Sequence, residues 1–485
     1  MSLLSLEKAN QFIEVTKTKV DKTYYPSIHL AAPTGWINDP NGVSFFQGEY
    51  HVFYQHYPYD SVWGPMHWGH ATSRDLIHWQ AQPVALAPDQ PYDKDGCFSG
   101  SAIEKDGKLY LMYTGHLVDE ASGVVTQVQN IAWSEDGVHF EKYAHNPVLT
   151  ESDLPEGMSR HDFRDPKVFE LAGCYYVVIG ARTIQQEGVV LLYQSDDLVT
   201  WQFKSVMLAG DERLGDMVEC PDFFVVDGRH YLLYNAMNYT DPVTQEFISH
   251  KVFLAEGQLD LETGVFTVKD VRNLDEGFDF YAPQSAVNAR GERVMLGWMQ
   301  AWHRTMPTHE QQHLWAGQMS LPRVLAHTAQ GELVQRFALD QAELQEMTTQ
   351  IVVDSAAMPL KPATPYVWQA ELVNQAFTVQ VKNGVGDYFA VRYDATDGYL
   401  EIERQTPQTE IRDGNGNLRM KKRLDARHLK ADKMLNATLV IDKASVEVAI
   451  NDLFASSTVY PSEPWTELVV SATDQLAKVT LVEVK

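Results

Sequence analysis

Along most of the chain, short apolar runs alternate with Gly, Asp and Asn turns, and the i, i+3, i+4 spacing of an amphipathic helix is confined mainly to residues 3–20 and 338–348. That pattern predicts an all-β protein. Within the first 300 residues five hairpins share one form, an apolar run, a Gly turn and an aromatic or branched run, with turn glycines at Gly48, Gly107, Gly173, Gly228 and Gly291. These glycines are 59, 66, 55 and 63 residues apart. A second series runs in phase with the first. Ser73-Arg74-Asp75 before Trp79, Ser134-Glu135-Asp136 before Phe140, and Ser195-Asp196-Asp197 before Trp201 recur every 61 residues. Two repeated elements in phase favour a five-bladed β-propeller over a sandwich of unrelated hairpins. After Leu321-Pro322-Arg323 a polar stretch leads to a further set of alternating strands, from Val352–Asp354 and Tyr366–Leu372 to Val479–Val484, spaced as in a C-terminal β-sandwich. The expected division is an N-terminal helical segment (1–24), a propeller (25–335), a linker with a short helix (336–350) and a sandwich (351–485).

Counting back from each turn glycine reaches the start of each innermost strand, where Asp39, Ser99, Asp165 and Glu219 stand in register, with Tyr281 and Pro283 in the fifth blade. Inner strands of a propeller converge on its axis, so three carboxylates should face one funnel. Folding gains nothing from like charges held that close, and a functional site is the better explanation. Glu219, in Met217-Val218-Glu219-Cys220-Pro221, has apolar neighbours that should raise its pKa and suit a general acid. Asp39, among Asn38 and Asn41, should be a stabilised anion, and Asp165 should be kept ionised by Arg164. Acid, nucleophile and charged stabiliser are the parts of glycoside hydrolysis. Trp36, Trp63, Trp68, Phe98, Tyr281 and Trp298 are candidates to stack on sugar faces.

Composition narrows the partners. The formal net charge of −26 disfavours nucleic acid and anionic membrane surfaces, and the 11 Trp, 22 Tyr and 20 Phe suit a sugar cleft. Cys97, Cys174 and Cys220 are odd in number and widely spaced, without a CxxC pair, which fits a reducing compartment. The first apolar stretch stops at Glu7 and Lys8, short of a signal-peptide core, so a cytoplasmic protein is expected. No cofactor is expected, since no phosphate-binding glycine loop follows a strand. No metal is expected either: His29, His56, His67, His70 and His78 lack ligand spacing, and Asp93-Lys94-Asp95-Gly96 lacks the distal glutamate of a calcium loop.

WINDPNG (36–42), FSGS (98–101), FRDP (163–166), ECPD (219–222) and FDFYAPQ (278–284) resemble, in order, the signature motifs of glycoside hydrolase family 32, and the segment 439–451 is similar to that family's sandwich signature. The resemblance implies a five-bladed propeller with a C-terminal sandwich that hydrolyses terminal β-D-fructofuranosides with retention. It implies Asp39 as nucleophile, Glu219 as acid/base and Asp165 as transition-state stabiliser. Asn38, Gln55, Trp63, Phe98, Ser99 and Arg164 would line the fructose subsite, with Tyr281 and Trp298 nearby. Residues 154–169 and 274–284 look most like the family's bacterial sucrose-6-phosphate hydrolases, while Trp63-Gly64-Pro65-Met66-His67-Trp68 looks more like its invertases. The expected partner is therefore a small-molecule fructoside: sucrose 6-phosphate, sucrose, or a short fructo-oligosaccharide. A carbohydrate-binding propeller without catalysis is the reading from another class, and it would not need three carboxylates in register. A phosphorylated substrate would need a basic group at the rim, for which Arg160 with His161 and His303 with Arg304 are the two candidates.

Overall fold

The computed structural model describes residues 4–241, 247–300, 302–339, 344–347, 355–473 and 478–484. Five antiparallel sheets follow one another in the first part of the chain, with innermost strands Gly35–Phe46, Gly96–Lys105, Met158–Leu171, Met217–Val226 and Tyr281–Val287. Each inner strand touches the next and the fifth touches the first, closing a ring of five blades. Closure is reinforced where Trp315–Ala316, in the excursion between the second and third strands of blade five, pairs in parallel with Gly35–Trp36 of blade one.

Both repeats have a physical basis. In blades one to four the inner hairpin turns through two residues with positive φ, Gln47-Gly48, Asp106-Gly107, Ala172-Gly173 and Asp227-Gly228, the geometry whose twist matches a hairpin. Nothing lies within 4 Å of a Cβ built on any of these four glycines, so the requirement is conformational, not steric. Blade five departs from this form, its Gly291 closing a longer turn in which the Asn288 side chain accepts from the amides of Arg290 and Glu292. The Ser-x-Asp element is a turn between third and fourth strands. The Asp75 carboxylate accepts from the amides of Ile77 and His78 while Ser73 Oγ accepts from that of Leu76, and Asp136 with Ser134 and Asp197 with Ser195 repeat the arrangement.

Polar side chains tie the blades together around the axis. Asn41 accepts from the Gly100 amide, Ser101 from the Val168 amide, and Asp222 from the Ser285 amide while lying 3.3 Å from Lys167 Nζ. Helix Leu6–Thr16, capped by Ser5, lies against blade one through Phe12 on Tyr59 and Asn10 on the Val84 amide.

The C-terminal part is a sandwich of two six-stranded sheets around a core that includes Trp368, Phe389, Leu400, Leu439 and Val448. The short helix expected over 336–350 is corrected at Leu344–Met347, which is a strand paired with Lys478–Val484. Its apolar spacing suits either element, and the open edge of that sheet decides the outcome. The expected strand at Val352–Asp354 lies outside the described residues. Four further strands went unanticipated: Ser355–Pro359, Lys421–Asp425, Leu453–Thr458 and Glu467–Ala472.

Buried charge joins the two domains. His29 sits between Asp442 at 2.9 Å and Glu447 at 3.1 Å, each ring nitrogen facing a carboxylate, which requires the imidazolium. Arg323 binds Asp275 and Glu447, and Asp279 is held by Arg404 and Arg304. Among the described residues no helix is long and apolar enough to cross a membrane.

Candidate active site

Every inner strand breaks register at the same level. The irregularities fall at Asn38-Asp39, Ser99, Asp165-Pro166, Cys220-Pro221 and Ala282-Pro283. Proline has no N–H to give to a ladder, and three of these bulges carry one together with a non-glycine residue in the left-handed region: Asp165 at φ 66°, Cys220 at φ 43° and Ala282 at φ 47°. A bulge re-aims side chains, and here it turns them toward the propeller axis.

The re-aimed groups form one network. Asp39 accepts from Ser99 Oγ at 2.7 Å and from Asn38 Nδ2 at 3.0 Å, and Asn38 is itself fixed by the Trp36 indole N–H at 2.7 Å. Asp165 accepts from the Cys220 amide at 3.0 Å. The Cys220 thiol lies 3.6 Å from a carboxylate oxygen of both Asp39 and Asp165, bridging blades one and three from blade four. Glu219 accepts from Arg164 Nη2 at 3.0 Å on one oxygen and from the Tyr281 hydroxyl at 2.5 Å on the other. Asp162 orients Arg164 at 2.9 Å and also binds Arg182 at 2.5 Å.

These contacts reverse the protonation pattern expected from sequence. Burial pushes Asp39 above the usual carboxylate range, against the hydrogen bonds from Asn38 and Ser99. Burial also lifts Asp165 to about 7 despite Arg164, with the Glu219 and Asp39 charges adding to the rise. For Glu219, burial pushes upward, but Arg164, His250 and the Tyr281 hydrogen bond together hold it below its ordinary value. The cause is the direction of Arg164, whose Nε stands 3.9 Å from its chain neighbour Asp165 while the guanidinium engages Glu219. Burial keeps the Cys220 thiol protonated, as a donor to the aspartates.

The other candidates divide by exposure. Trp63, 46% exposed, stands edge-on to Phe98, which stacks in parallel on His116 at 4.2 Å, forming an aromatic rim on blades one and two. Gln55 is buried and donates to the Cys97 carbonyl just before Phe98. Trp298 is fully buried and packs edge-on against Trp36, so it backs the site wall and offers no sugar a face. Trp36, Trp68 and Tyr281 are buried as well, leaving Trp63 and Phe98 as the surfaces open to a ligand. Asp93 is a structural anchor on Lys142 and Tyr113. Sequence reasoning missed Asp162, Arg182, His116 and His250, and it gave Cys220 no part in the site. Only Cys220 carried a local signal, its place before Pro221 in the repeated bulge.

The family model for the glycosyl hydrolases family 32 N-terminal domain matches residues 29–336, and that for the family 32 C terminal matches residues 332–485. A sucrose-6-phosphate hydrolase of Escherichia coli is 39% identical over 94% of this chain and 93% of its own length, and a raffinose invertase of the same organism is 37% identical over 94% of each. Among solved structures, a mutant GH32 beta-fructofuranosidase of Bombyx mori in complex with sucrose superposes with a TM-score of 0.85 at 30% identity, covering 99% of this chain and 98% of that one. The sucrose-6-phosphate hydrolase of Lactobacillus gasseri does so with a TM-score of 0.85 at 26% identity, covering 99% of both chains. In both its propeller and its sandwich, therefore, the chain belongs to glycosyl hydrolase family 32.

Proposed function

We propose that the protein is a retaining β-fructofuranosidase that hydrolyses sucrose 6-phosphate and sucrose, with residues 25–335 as its catalytic unit and the sandwich as support. The observation that carries this reading is the joining of Asp39, Asp165 and Glu219, from three different blades, in one buried network with unequal affinity for protons. The relatives named sucrose-6-phosphate hydrolase and raffinose invertase support the substrate.

In this reading Asp39 attacks the fructosyl C2 and Glu219 gives a proton to the departing oxygen. Asp39 then carries the fructosyl group until water, deprotonated by Glu219, releases it. Ser99 and Asn38 steady the Asp39 anion and aim it. In the free protein both Glu219 oxygens accept hydrogen bonds, so the carboxylate must gain a proton before it can act as an acid. Substrate provides the means. Fructosyl hydroxyls donating to Asp165 favour its anion, and that added negative charge beside Glu219 raises the affinity of Glu219 for the proton. A sugar phosphate does not cross membranes unaided, so we place the enzyme in the cytoplasm, where such an ester would be met.

Reaction in water containing methanol tests the reading. A retaining fructosidase transfers part of the fructosyl group to methanol and yields methyl β-D-fructofuranoside, identifiable by NMR. The α-anomer, or no release of fructose from either sugar, would refute it.

A further inference from the structure

A phosphate dianion approaching a funnel floored by three carboxylates, on a chain of net charge −26, needs cations to receive it. The structure separates the arginines of the two basic clusters, while His303 stays exposed with its ring 5.9 Å from that of His250. Arg304 is sealed in the domain interface, its side chain 1% exposed and bound to Asp279 and Thr458, so it reaches no ligand. Arg160 and His161 stand near the start of the blade-three inner strand Met158–Leu171 and line an open cavity of about 440 Å³. Arg182, from the neighbouring strand Cys174–Thr183, lines it too, with Ser159, Thr183 and Gln186, and among the described residues no carboxylate lines it.

The cavity's place relative to the reacting bond follows from a chain of contacts. Glu219 is bound by Arg164 at 3.0 Å, Arg164 by Asp162 at 2.9 Å, and Asp162 by Arg182 at 2.5 Å. Two guanidinium groups thus share the Asp162 carboxylate. Among the described residues the ion-pair partner of Arg160 is Glu151, at 3.7 Å, with both side chains about half exposed at 50% and 49%, a contact too loose and wet to occupy the guanidinium. The His161 Nδ1 faces the Val125 carbonyl at 2.6 Å, which fixes the ring beside the cavity.

From this arrangement we infer that the blade-three cavity is the subsite for a phosphate ester on the leaving group, with Arg160 and Arg182 as the groups that receive the dianion. The inference rests on the proposed fructoside hydrolysis, which puts the leaving group on the side of Glu219. Arginine suits the task because its planar fork matches two phosphate oxygens at once. Arg182 has a second duty through Asp162, so Arg160 is the discriminating position.

The test compares sucrose with sucrose 6-phosphate on the wild type and on Arg160→Gln. The variant is expected to raise KM for sucrose 6-phosphate about tenfold or more while KM and kcat for sucrose change less than about twofold, since sucrose lacks the ester. Glucose 6-phosphate, read by thermal shift as well as by inhibition, should bind the wild type more tightly than the variant, with glucose indifferent to the change. Equal effects on both sugars, no effect on sucrose 6-phosphate, or a response to inorganic phosphate matching that to glucose 6-phosphate would overturn the inference. If neither sugar is hydrolysed the proposed function falls, and the glucose 6-phosphate binding comparison still decides whether Arg160 receives the ester.

Discussion

Arg164 reaches across to Glu219 on the next blade at 3.0 Å and leaves its own chain neighbour Asp165 at 3.9 Å. One cation among three buried carboxylates cannot neutralise them all, so its direction decides which of them holds a proton in the free protein. The pH dependence of turnover should report that choice as apparent constants of the cluster.

Tyr281→Phe removes a hydrogen bond that favours the Glu219 anion. Glu219 should then hold its proton to higher pH, and the basic limb of the kcat/KM profile should move up. Asp165→Asn removes a negative neighbour of Glu219 and should move the same limb down, with a lower maximum. Profiles measured side by side check both signs, and shifts in the same direction would contradict the account.

Trp63 and Trp298 should behave oppositely although both are tryptophans near the site motifs. Trp63→Ala, at an exposed rim, is expected to raise KM severalfold and leave the melting temperature unchanged. Trp298→Ala empties a fully buried position and should cost about 3–5 kcal/mol of stability. Denaturant melts with substrate kinetics on both variants check the pair.

His29 links stability to pH. Burial opposes its charge, but Asp442 and Glu447 lift its pKa from 6.5 to about 9 in the folded chain. Its contribution, about 3 kcal/mol by linkage, is therefore complete below pH 6.5 and lost as pH rises through 9. The melting temperature should fall over that window. His29→Gln should start lower, because Asp442 loses its cationic partner and Glu447 keeps only Arg323, and should lose that part of the decline.

The architecture was legible because local chemistry recurs from blade to blade, the hairpin turn in blades one to four and the Ser-x-Asp turn in blades one to three. The turn residues before Gly48, Gly107, Gly173 and Gly228 adopt the left-handed pair their hairpins need, and Asp75, Asp136 and Asp197 cap identical turns. Register alone brought Asp39, Asp165 and Glu219 to one axis. Protonation was not legible, since it depends on where Arg164 points and on His250, 31 residues beyond Glu219 in sequence. Nor could sequence separate Trp63 from Trp298, or Arg160 from Arg304. In each pair one member is exposed and the other sealed by packing between elements remote in the chain. At Leu344–Met347 an apolar spacing that fits a helix became a strand because a sheet edge was there to receive it.

The most direct test of the central claim is the rate of fructose release from sucrose and sucrose 6-phosphate by the wild type, Asp39→Asn and Glu219→Gln, with folding of each variant checked by circular dichroism. The account predicts release by the wild type from both sugars and a loss of at least about a hundredfold in each variant, because both groups act in the transition state. A folded Asp39→Asn or Glu219→Gln that keeps more than about a tenth of the wild-type rate, well outside what loss of such a group allows, would contradict it.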